Sequence, residues 1–179
     1  MNRSVFLSSF LGGAIAFVWG FISWVVIPWH TASMHRFQDT QVVSEVLAQN
    51  APVDGIYVFH PKQHRSSTEN APFVFASINR THMNEKQSLP MVRSFIIQVI
   101  VAFFISWVLV HTKSRKYWDL VTISAVLGLI GGMMSYLPAW NWWGTPIGYT
   151  LVGLIDLVIT WFLAGLGMAK LLEKVKVPK

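Results

Sequence analysis

Four apolar runs, each about as long as a bilayer is thick, constrain this chain more than any other feature. A hydrocarbon core of about 30 Å takes roughly 20 residues of helix. The first run extends from Val5 to Ile27 without a charge. The second extends from Phe95 to Val110, with Met91 and Val92 before it and Gln98 as its one strongly polar side chain. The third covers Leu120 to Leu137, and the fourth covers Ile147 to Leu172 with one acid, Asp156. Backbone groups in lipid must be satisfied internally, and these runs are too long for barrel strands, so they are expected to be helices. Composition agrees: 53% of residues are hydrophobic and 12% are charged, the latter about half the usual share in soluble domains.

The fold expected is an all-α membrane protein of four transmembrane helices, with a small α+β extracytoplasmic insertion between the first and second. Residues 1–29 form the first transmembrane segment, 30–90 the insertion, and 91–179 the other three helices with their tail. The first run starts at Arg3 but is longer than a signal peptide's apolar region and ends in Ile27-Pro28-Trp29-His30, which reads as an uncleaved anchor. Orientation follows Lys and Arg. Arg3, the loop bases Lys113, Arg115 and Lys116, and the tail bases Lys170, Lys174, Lys176 and Lys179 fall on one side, whereas Pro138–Pro146 carries no base. Both termini are therefore expected in the cytoplasm. In the insertion, Asp39 or Thr40 caps a short helix that Asn50 ends. Ile56–Phe59 and Phe73–Ile78 read as the strands of a hairpin.

The pattern Phe17-Val18-Trp19-Gly20-Phe21-Ile22-Ser23-Trp24, followed by Ile27-Pro28-Trp29-His30, resembles one in a family of small uncharacterised bacterial inner-membrane proteins. Asn50-Ala51-Pro52, Gly55-Ile56-Tyr57 and Pro61 are similar as well. The resemblance covers about the first 60 residues. It implies a bacterial inner membrane and no particular chemistry.

Several functional classes drop out. The chain has no cysteine, which removes disulfides, thiolate metal sites, iron–sulfur clusters and a Cys nucleophile. Walker A, GxSxG and GxGxxG motifs are absent. The isoelectric point near 9.8 comes from bases at the ends of apolar runs, a topology signal rather than a nucleic-acid surface. No cofactor and no nucleic acid are expected.

The residues left to carry function are few. Asp156 lies mid-run, where a charge costs about 2.5–3.5 kcal/mol on insertion scales, so it should face protein. It shares a helical stripe with Gly153, Thr160, Ala164 and Gly167. The structural reading bonds it to Ser106, Gln98, Ser124 or Thr122. The alternative makes it a proton or ion site. Ser8, Gly12, Ala16 and Gly20, together with Gly128 and Gly132, form small-residue faces suited to close helix packing. Trp24, Trp29, Trp140, Trp142 and Trp143 suit the outer bilayer interface. His30, His35, His60, His64 and His82 lie on the outside, with no HxH or HExxH spacing to mark a metal site. The function expected is that of a noncatalytic accessory or scaffold subunit, packing against another membrane protein or a second copy. The alternative is a small proton- or ion-coupled transporter built on Asp156. A third class is an enzyme that handles metal or modifies lipid through the outside histidines.

Overall fold

A computed structural model describes residues 3–61, 71–80, 86, 88–114 and 116–175. The chain divides into two units. One comprises residues 1–35 and 88–179, the other residues 36–87.

The first unit holds four helices long and apolar enough to cross a membrane, with mean hydropathy between 1.9 and 2.2. Helix α1 spans Arg3–Phe21 and continues as a short π-helix over Ile22–Val26. The chain then extends at Ile27 and turns back through a single 3₁₀ turn, Thr31–Ser33. Helices α3 (Ser88–His111), α4 (Tyr117–Trp143) and α5 (Ile147–Leu172) complete the unit. Helix α5 packs along both α4 and α1, and α1 packs also along α3, while α3 and α4 barely meet. Small residues set the close approaches. A Cβ on Gly13 would lie 2.6 Å from the Val99 backbone, and one on Gly128 would lie 2.6 Å from the Leu157 carbonyl oxygen. Leu109, Leu120, Met168 and Leu172 are fully buried where the end of α3 and the start of α4 meet the end of α5.

Helix α4 overruns its expected end. The apolar run stops at Leu137, and Pro138–Pro146 reads as a loop, yet the helix continues through Pro138 to Trp143. A proline inside a helix lacks the N–H that would bond the residue four back, here Met134, and the flanking turns carry the helix past that gap. The stop comes at Gly144, in the left-handed region at φ 66°, a conformation glycine adopts without Cβ strain. The Thr145 N–H closes onto the Ala139 carbonyl at 3.3 Å. The link to α5 is thus residues 144–146.

In the second unit, α2 spans Thr40–Asn50, and Asp39 is its cap, accepting from the Val42 N–H at 2.9 Å. Strands β1 (Gly55–Phe59) and β2 (Val74–Ile78) pair antiparallel, from Gly55 opposite Ile78 to Phe59 opposite Val74. Arg80 ties these pieces together. Its N–H bonds Asp54 Oδ1 at 2.8 Å, and its guanidinium donates to the carbonyls of Pro52 and Ala48, both at 3.1 Å. Among the described residues of this unit only Ala51 is fully buried, as expected where one helix and two strands have little to cover.

Candidate functional site

Asp156 lies nine residues into α5, about 13 Å along the helix axis. It is 8% exposed, and its carboxylate is the centre of a closed hydrogen-bonded cluster. From α1, the Trp19 indole N–H donates to Oδ1 at 2.7 Å. Ser23, one turn further on, donates its hydroxyl to the same oxygen at 2.8 Å. His30 comes back after the turn and places Nε2 3.2 Å from Oδ2. Ser23 and His30 are completely or almost completely buried, at 0% and 1% exposure.

The local backbone explains this convergence. Ser23 lies in the π-helix, and the Ile27 N–H bonds back to the Ile22 carbonyl at 3.0 Å. Such a bulge adds a residue to the turn and re-aims the side chains near it. Pro28 and the extended Ile27 prevent α1 from continuing, so Trp29 and His30 fold back beside Ser23. Trp29 then donates its indole N–H to the Ser23 carbonyl and hydroxyl, both at 3.1 Å. Trp24 stacks face to face on His30, with ring centroids 3.8 Å apart and planes 7° apart. Trp29 meets the same imidazole edge-on at 5.6 Å.

The donor arithmetic limits the chemistry. Trp19 is donor-only and Ser23 donates to Asp156, so Oδ1 accepts twice, which suits an acceptor-only carboxylate. His30 Nε2 faces both Asp156 Oδ2 and Ser23 Oγ, the latter at 3.1 Å. Its Nδ1 is buried without a hydrogen-bond partner. Ser23, His30 and Asp156 are therefore no catalytic triad. A triad needs one ring nitrogen on the hydroxyl and the other on the carboxylate, whereas here a single nitrogen faces both.

The partners differ from those the spacing suggested. Ser106 is engaged by Ser8 at 2.9 Å, Ser124 returns to the Leu120 carbonyl at 2.9 Å, Thr122 is exposed, and Gln98 faces a different groove. His30, expected with the outside histidines, belongs to the helical unit and is buried. Trp19 and Ser23 were not among the candidate residues. Their signal was position: they sit one turn apart on the face that Gly12 and Ala16 begin.

The packing residues divide. Gly12 lies under Met168 and near Ala102, Ala16 is fully buried, and Gly20 has open space where a Cβ would stand. Gly128 and Gly132 meet Trp161 and Leu154, and Gly153 meets the Tyr136 ring. The Thr160 hydroxyl returns to the Asp156 carbonyl at 2.7 Å, and Ala164 is fully buried. Trp140, Trp142 and Trp143 are exposed on the last turns of α4. His35 is exposed. His60 has a buried Nδ1 without a partner and meets Phe73 edge-on at 5.8 Å. His64 and His82 lie outside the described residues. Among the described residues no three His, Asp or Glu side chains gather as a metal site would require.

Comparison with protein-family models, curated proteins and solved structures finds no match for this chain. Trp19, Ser23, Trp24, Trp29 and His30 all belong to the cluster around Asp156.

Proposed function

We propose that this chain is a noncatalytic multi-pass protein of the bacterial inner membrane, with both termini cytoplasmic, that serves as an accessory or scaffold subunit of a membrane assembly. Four long apolar helices support the membrane setting, as do large exposed side chains such as Phe10, Val25 and Met134. The observation that carries the scaffold reading is the carboxylate of Asp156, on which Trp19, Ser23 and His30 converge. Both its oxygens are held by donors from α1 and the return that follows it, so the acid fastens helices together. Toward the C-terminal end, the buried face of α5 runs through Thr160, Ala164, Met168 and Leu172. Its one polar group beyond Asp156, the Thr160 hydroxyl, is spent on the helix backbone. A proton relay needs a chain of titratable groups, and the buried face of α5 beyond Asp156 carries none.

The transporter alternative keeps one observation in its favour: His30 supplies a second titratable group beside the acid. Asp156→Asn separates the two readings. The carboxamide oxygen keeps the bonds from Trp19 and Ser23, and its NH₂ group donates to His30 Nε2 once the imidazole carries its proton on Nδ1. The scaffold reading therefore expects Asp156→Asn to fold, to copurify with the same partners, and to match wild type in pyranine-loaded vesicles under a proton gradient. A folded Asp156→Asn protein that loses a proton flux shown by wild type would establish the transporter instead.

A further inference from the structure

Between α3 and α4, which barely touch, an open groove of about 490 Å³ runs along the apolar unit. Gln98 and Phe104 line it from α3, Gly131 and Ser135 line it from α4, and Trp161 of α5 forms its floor. Neither Gln98 nor Ser135 makes a side-chain hydrogen bond among the described residues. Gln98 lies ten residues after Ser88, and Ser135 lies eight before Trp143. Both therefore sit about 12–15 Å from the same end of the helices. A side-chain amide at that depth costs free energy unless something bonds it.

We infer that this groove is the face through which two copies of the chain pair about a two-fold axis, an inference that rests on the assembly reading above. A lipid tail offers no hydrogen-bonding group at this depth. A second copy offers Gln98 itself, which both donates and accepts, and a two-fold axis places a residue opposite its own image. The groove also offers a ring and a space for it. Phe104 is 59% exposed, and at Gly131 open space begins with nothing within 4 Å of a Cβ. Phe104 sits about 24 Å from the Ser88 end and Gly131 about 18 Å from the Trp143 end. A helical side chain leans toward its helix start, which brings the Phe104 ring toward the level of the partner's Gly131.

Because the chain has no cysteine, one introduced thiol reports on one contact. The full-length Ile97→Cys protein, with its thiol on the groove rim, is placed in phosphatidylethanolamine–phosphatidylglycerol vesicles and oxidised. Val18→Cys, on the exposed face of α1, is the control. The expected result is a covalent dimer for Ile97→Cys and none for Val18→Cys. Adding Gln98→Leu or Gly131→Leu should cut the cross-linked fraction by about fivefold or more. Thermal melting in detergent should not change for Gly131→Leu, since its side chain enters open space, so the loss reports pairing and not folding. Equal cross-linking of the two cysteine variants, or none, overturns the inference. If wild type then copurifies with a different membrane protein, the assembly reading stands without self-pairing; if nothing copurifies, both fall.

Discussion

Replacing Asp156 by Leu removes the acceptor on which three donors converge, and the cost can be worked from the cluster. Interhelical hydrogen bonds in membranes average about 0.6 kcal/mol, with a maximum near 1.7. Three of them, from Trp19, Ser23 and His30 at 2.7, 2.8 and 3.2 Å, sum to about 2 kcal/mol at the average. That corresponds to roughly a thirtyfold fall in the folded-to-unfolded ratio. Leucine is at least as large as aspartate and leaves little cavity, so polar loss dominates. Asp156→Asn keeps the bonds from Trp19 and Ser23 but moves the imidazole proton onto the buried, unpartnered Nδ1 of His30, so it should cost less than Asp156→Leu without being neutral. The assay is reversible unfolding in mixed detergent micelles, followed by tryptophan fluorescence, with Trp19→Phe made in both backgrounds. Trp19→Phe should cost about 0.6 kcal/mol or more when Asp156 is present and almost nothing in the Asp156→Leu background, because its partner is already gone. If Asp156→Leu unfolds within about 0.5 kcal/mol of wild type, or the two changes are simply additive, the cluster does not fasten α1 to α5.

Gly128→Ala should destabilise by about 1–3 kcal/mol, the scale of overpacking, because its Cβ would meet the Leu157 carbonyl oxygen at 2.6 Å and backbone cannot swing aside; the same unfolding assay measures it. Asp39→Ala should cost about 1 kcal/mol of α2 stability through loss of the cap, read as faster amide exchange over Thr40–Asn50. Reporter fusions after Lys179 and at Ser67 should report opposite sides of the membrane, and signals from the same side would refute the proposed topology.

The four long helices were legible because hydropathy and length alone demand them, and a cap at Asp39 or Thr40 was legible because a cap is a local motif, with the structure choosing Asp39. The partners of Asp156 were not. Polar residues of other apolar runs looked like natural partners, but which residues share a depth depends on helix tilt and register, which one sequence does not display. The π-helix at Ile22–Val26 and the return that follows it hid His30 more deeply still. A run of apolar residues ending in Pro-Trp-His reads as an exit from the membrane, and nothing in its hydropathy announces a fold back onto Ser23. The end of α4 was misplaced for a related reason: Pro138 is a strong local stop signal, and only the surrounding helix shows that one missing bond is tolerated.

The distance along the chain between Trp19 and Asp156, 137 residues, also bears on how the protein is made. During synthesis, α1 with its Trp, Ser and His donors emerges before the other long helices, and the acid that receives them arrives on α5. Until α5 is in place those donors have no acceptor from Asp156, whereas α4 and α5, joined through residues 144–146, can pair locally as soon as both exist. Closing the cluster is thus the event that joins the earliest of the four helices to the latest.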